Sequence, residues 1–159
     1  MDHRCPDCGK TLPSGVPPWV RHLTAAQAMT RNPVTLGPED TLMQGLEVMR
    51  RHHVRRIPIV LGDTLVGLLA EGDLKRAQPS ALAATEEEFH RVMEGTTVSR
   101  IMIEKPLTVE EHTPLLDAAK TLLTTKFGAL PVLSEGKVTG ILTDSDLHRA
   151  LVELLEQGG

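Results

Sequence analysis

The chain has 159 residues, 40% of them hydrophobic and 24% charged, with a net charge of −4. That is enough for one domain or two small halves sharing a core, and too apolar for a disordered polypeptide. The acidic balance argues against a mainly electrostatic nucleic-acid binder, and an aromatic content of 2% leaves few platforms for stacking bases. No apolar run approaches the roughly 20 residues that span a bilayer. The opening "MDHRCPDCGK" lacks the apolar stretch of a secretion signal, so the expected compartment is the reducing cytoplasm.

In chain order, residues 1–20 read as a CxxC segment followed by the Pro-rich linker "TLPSGVPPW". Cys5 and Cys8 are the only cysteines, so a disulfide framework is excluded as the basis of stability. They look like one knuckle of a zinc ribbon, yet a structural zinc site usually takes four ligands. His3 and His22 stand at no standard spacing, although two chains side by side could supply a cysteine pair each. The alternative is a metal-free tail.

Residues 21–78 form a first repeat, 79–96 a connecting helix, and 97–159 a second repeat. Met29 and Met102 are 73 residues apart, and that offset holds without a gap as far as Ala77 and Ala150. It pairs Pro33 with Pro106, Pro58 with Pro131, Gly67 with Gly140, Asp73 with Asp146 and Arg76 with Arg149. "PVTL" and "PLTV" read as short extended segments entered through proline. Asp40 and Thr113 are expected to cap the helices that follow, with Pro114 in the first helical position of the second copy. Leu42, Leu46 and Met49, and then Leu115, Ala119 and Leu122, mark one apolar stripe on each helix. "RIPIVL" with "LVGLLA", and "ALPVLS" with "VTGILT", read as strand pairs joined by tight turns. In the connecting segment, Thr85 and Glu88 form a capping box, and Phe89, Val92 and Met93 give an inner face. The fold class is therefore α/β (α+β): two β-α-β-β-α repeats packed sheet to sheet about a pseudo-two-fold axis. One such unit alone buries too little apolar surface to be stable.

The duplicated pattern "MTRNPVTL…RRIPIV…LVGLLAEGDLKRA" and "MIEKPLTV…GALPVL…VTGILTDSDLHRA" resembles a tandem pair of CBS domains, a Bateman module. The resemblance implies a regulatory module binding an adenosine-containing ligand such as AMP, ADP, ATP or S-adenosylmethionine, and with no Ser/His/Asp order, credible acid pair or P-loop in the sequence no enzyme activity is expected. The resemblance also implies a homodimer and a regulated partner protein. The family's ribose pattern, Gly-hydrophobic-x-Thr/Ser-x-x-Asp, is met by Gly140, Ile141, Thr143 and Asp146. A carboxylate there can accept from both ribose hydroxyls, and the threonine hydroxyl can donate or accept beside it. The first copy keeps Gly67 and Asp73 but has Ala70 in place of the hydroxyl, so its site is expected to be the weaker one.

The same resemblance implies phosphate contacts from Arg55 and Arg56, just before the first "IPIV" strand, and further ligand positions at Thr108 and Ala129. Each assignment has a plainer alternative. Asp146 and Asp73 stand where a helix N-cap belongs. The basic run "RRHHVRR" suits the C-terminal end of a helix dipole, which accounts for Arg50 and Arg51 better than for Arg55 and Arg56. His90 and His112 read as surface residues. The alternative function is a structural or zinc-linked dimerisation adaptor with degenerate nucleotide sites.

Overall fold

A computed structural model describes residues 9, 17–126 and 128–157 of the chain. Cys5 and Cys8 lie outside the described residues. The first repeat contains α1 (Ala25–Ala28), β1 (Thr30–Arg31), α2 (Leu42–His52), β2 (Arg56–Leu61), β3 (Thr64–Ala70) and α3 (Glu71–Ala77). The connecting helix is α4 (Glu86–Gly95), and β4 (Ile103–Glu104) and β5 (Val109–Glu110) follow it. Then come α5 (Leu115–Thr124), β6 (Ala129–Ser134), β7 (Lys137–Thr143) and α6 (Asp144–Gln157).

The strand pairings obey the 73-residue offset throughout. The hairpin β2–β3 pairs Ile57 with Leu69, and β6–β7 pairs Leu130 with Leu142. Both hairpins carry an irregularity at the same place, Ile59/Val60 and Val132/Leu133. Thr64 and Lys137, which are each other's counterparts, join β3 to β7. A pairing between counterparts lies on the pseudo-two-fold axis. The leading strands are exchanged: β1 of the first repeat pairs with β7 of the second, and β4 of the second pairs with β3 of the first.

Alternation along the strands divides the interior into layers. Leu69 and Ile57 point to the helices α2 and α4, and Leu142 and Leu130 to α1 and α5. Their neighbours Leu68, Ala129 and Ile141 meet between the two hairpins. The two hairpins are joined at Thr64 and Lys137 into one seven-stranded sheet packed against helices, the mixed α+β class that the duplicated pattern predicts. Leu42, Ile57, Leu69, Leu130 and Leu142 are fully buried, each worth about 1.5–3 kcal/mol relative to exposure. The two glycines of the repeat are explained by the exchanged strands. A Cβ on Gly140 would meet Met29 Sδ, and a Cβ on Gly67 would meet Met102 Sδ, so each methionine lies over the other repeat's glycine.

The helix starts differ from expectation by one residue. Thr41, not Asp40, caps α2 and forms a capping box with Gln44. Asp40 instead accepts the Gly37 N–H at 2.7 Å, and Thr113 accepts the Glu110 N–H at 3.0 Å. Both side chains close the turn before the helix, a use that Asp and Thr share with capping. Pro114 is the N-cap of α5 rather than its first helical residue. The Thr85–Glu88 capping box of α4 is present, and Met93 is buried against the first repeat.

Candidate functional site

The carboxylate of Asp146 is the centre of the turn that opens α6 in the second repeat. It lies in the first turn of α6 and is only 3% exposed. Burial of an acid is expensive unless its lone pairs are filled, and here they are. Oδ2 accepts the Thr143 N–H at 2.9 Å and the Thr143 hydroxyl at 3.0 Å. Oδ1 accepts the Thr30 hydroxyl at 2.8 Å and Arg149 Nη1 at 3.0 Å. Thr143 immediately precedes α6, so its exchange with Asp146 has the reciprocal logic of a capping box. Asp146 is thus the third residue of α6 and not its N-cap: Thr143 precedes the helix, and Asp146 answers it from inside the first turn.

Asp73, its counterpart, stands in a poorer setting. Ala70 caps α3 without a side-chain hydrogen bond, and Asp73 pairs with Arg76 of its own helix. The residue equivalent to Thr30 is Ile103, so Asp73 lacks both hydroxyls. Sequence reasoning found Ala70 and missed Thr30. The signal was in the same offset comparison, which sets Thr30 against Ile103.

The arginines take separate roles. Arg55 is mostly exposed and pairs with Glu71 of its own repeat at 3.5 Å. Glu71 also meets Lys75 at 2.6 Å. The Lys75 hydrogen bond, helped by the charges of Lys75, Arg55 and Arg56 and opposed by desolvation, holds the Glu71 carboxyl below its ordinary range. Arg56 donates to the Arg55 carbonyl at 3.0 Å and crosses to the second repeat. There, a Cβ on Gly128 would be 3.6 Å from Arg56 Nη2 and 2.8 Å from Asp144 Oδ2. The backbone repeats this turn in both halves, with Glu71 N–H on Arg55 O at 2.9 Å and Asp144 N–H on Gly128 O at 3.3 Å. Gly128 thus stands where the first repeat has Arg55, and the guanidinium beside Asp144 arrives from the other repeat.

Ala129 is buried and is the ladder partner of Thr143. Thr108 is exposed, one residue before β5. The structure therefore brings together Thr143, Asp146 and Ala129, brings Arg56 to the same repeat, and leaves Arg55 with Glu71. Among the described residues no group of three His, Cys, Asp or Glu converges to hold a metal ion. Among the described residues no helix is long and apolar enough to cross a membrane.

The sequence profile of the CBS domain matches residues 20–80 and 98–153. A CBS domain-containing protein of Dictyostelium discoideum is 33% identical, over 82% of this chain and 92% of that protein. The chloroplastic CBS domain-containing protein CBSX1 of Arabidopsis thaliana is 32% identical over 76% of this chain, which spans 60% of that relative's length. Among solved structures, CBSX2 in complex with AMP superposes with a TM-score of 0.68 at 32% identity, covering 82% of this chain and 97% of that one.

Proposed function

The chain belongs to the CBS-domain family and carries the domain twice, and on that premise we propose that it is a regulatory module whose second-repeat site binds an adenosine-containing ligand. One observation carries the reading: of two equivalent acids, Asp146 is oriented by Thr143, whereas Asp73 has Ala70 in that place. The ribose diol supplies two O–H donors, and Asp146 Oδ1 is the oxygen that receives them. Arg149 is 63% exposed and can swing away as the ribose enters. Arg56, beside Gly128 and Asp144, faces the phosphates, where a guanidinium forms paired hydrogen bonds. Arg55 joins it when a phosphate competes with Glu71. Ala129 keeps the space opposite Thr143 small and apolar, and Thr108 lies at the outer edge of the site. AMP, the ligand of the similar CBSX2 structure, is the first compound to test.

The regulatory step follows from competition at one oxygen. A ligand that takes Oδ1 from Thr30 favours a different setting of β1, and this differential affinity is what a conformational signal requires. The signal passes to a partner protein or to a second copy of the chain, since the exposed leucines of α5 and α6 support a homodimer.

Calorimetry with AMP tests the reading. The expected result is one site per chain in the wild type, no measurable binding in Asp146→Ala, and most of the binding kept in Asp73→Ala. Losing charge-assisted hydrogen bonds of about 1.5–3 kcal/mol each separates the two affinities by more than tenfold. Two equal sites would overturn the inequality of the repeats, and a larger loss from Asp73→Ala would place the competent site in the first repeat.

A further inference from the structure

Two parts of the chain lie outside the 73-residue correspondence, and they meet. The first is a single 3-10 turn over Pro18–His22, which packs on α5. The second is the far half of α6. The first repeat ends its closing helix at Ala77, whereas α6 runs past the counterpart, Ala150, to Gln157. Between the two lies a cavity of about 100 Å³, with Trp19, Leu23, Leu115, Glu153, Leu154 and Gln157 in its walls. Ala150, Glu153, Leu154 and Gln157 form one stripe of α6, at i, i+3, i+4 and i+7. The facing wall is fixed by hydrogen bonds. The Leu115 N–H donates to the Leu23 carbonyl at 2.7 Å, and the Thr24 N–H to Gln27 Oε1 at 2.8 Å.

The chemistry of this cavity is one-sided. Trp19 is the chain's single tryptophan, yet it is 47% exposed and stands here rather than in either core. Among the described residues Glu153 is the one charged group in the lining. Arg21 and His22 follow Trp19 in the chain but are exposed and lie outside the cavity. The cavity also reaches the C-terminal end of α6, whose last turn carries no basic residue. The last carbonyls of a helix lack intrahelical donors and form the negative end of its dipole. An indole ring, a carboxylate and a helix C-terminus all favour a cation.

From this convergence we infer that the cavity is a second ligand site, for the head group of a small alkylated ammonium ion. A metal ion fits poorly, because Glu153 is the lone acid of the lining and leucines make up much of the rest. A bare ammonium group would lose its hydration to the same apolar walls. A methylated one keeps its charge and presents methyl groups to Leu23, Leu115, Leu154 and the indole. The volume admits such a head group and excludes a nucleotide. The site is therefore separate from that of Asp146, which lies in the first turn of α6.

Fluorescence of Trp19, the only indole, reads the site directly. The full chain is titrated at constant ionic strength with choline, and with the uncharged alcohol in which a tert-butyl group replaces the trimethylammonium. Choline changes the emission saturably in the millimolar range, and the alcohol binds at least about tenfold more weakly. Glu153→Gln weakens choline binding at least about threefold, and Glu156→Gln, outside the lining, weakens it less. Choline also raises the thermal midpoint of the wild type, and Trp19→Leu abolishes that rise while circular dichroism shows the fold retained. Equal binding of the alcohol, or equal losses from Glu153→Gln and Glu156→Gln, overturns the cation site. An absent response to choline, or a thermal rise that survives Trp19→Leu, does the same.

Discussion

The hydroxyl of Thr30 donates to the carboxylate of Asp146 at 2.8 Å, although 116 residues separate them. The bond ties the exchanged strand β1 to the first turn of α6, and with it the first repeat to the second repeat's site. Thr30→Val removes one of the donors that fill a buried carboxylate. Because Thr30 is itself exposed and water can enter, the expected loss is about 1 kcal/mol. Urea denaturation should show a lower midpoint at unchanged slope. If AMP displaces Thr30 as proposed, the same variant binds AMP more tightly than the wild type in calorimetry.

Ala70→Thr restores to the first repeat the hydroxyl that the second repeat has at Thr143. It gives α3 a side-chain N-cap opposite Asp73, and the expected gain is about 1 kcal/mol. Thermal unfolding measures it. No gain would show that the Asp73–Arg76 pair already holds the turn closed.

Gly140→Ala places a Cβ against Met29 Sδ and 3.0 Å from the Thr30 carbonyl oxygen. Overpacking of this kind costs about 1–3 kcal/mol. Met29→Ala makes room for the new methyl group, so a double-mutant cycle between the two positions should give a favourable coupling. Additive losses would mean that β1 itself, not the methionine, resists the change.

Acid should weaken the Arg55–Glu71–Lys75 cluster. Glu71 has a folded pKa below its unfolded one, so its contribution is present above the ordinary carboxylate range and is lost as pH falls through the folded value. Glu71→Gln should flatten the acid limb of the stability-versus-pH curve slightly, since the cluster is exposed to solvent. A full acid limb in Glu71→Gln would assign it to other carboxylates.

The repeat was legible because two copies provide an internal alignment, and the offset that pairs Gly67 with Gly140 also governs the ladders. Periodicity located the hairpins and α2, α4 and α5. It was blind to β1 and β4, because a two-residue strand has no period to read. Their exchange between repeats is a long-range choice, made by Met29 over Gly140 and Met102 over Gly67. The caps were misplaced by one residue because Asp40 and Thr113 are good at both turn closure and capping, and the turn took them. At the site, Asp146 and Thr143 were visible as a local pattern. Thr30 was not, since its contact depends on the exchange. Arg56 crossing while Arg55 turns to Glu71 is likewise a matter of strand alternation, which sends neighbours to opposite sides.

Each hairpin is finished by a strand that belongs to the other half, and this has a consequence for the history of the chain. A single repeat, cut out, would carry a leading strand with no sheet of its own to join and a hairpin edge left bare. Bare edges attract other strands, and two such fragments would satisfy one another by trading leaders, as domain-swapped protomers do. Duplication with fusion turns that trade into an intramolecular one and frees the two copies to differ. The difference between Ala70 and Thr143 is one that a symmetric pair of identical fragments could not carry.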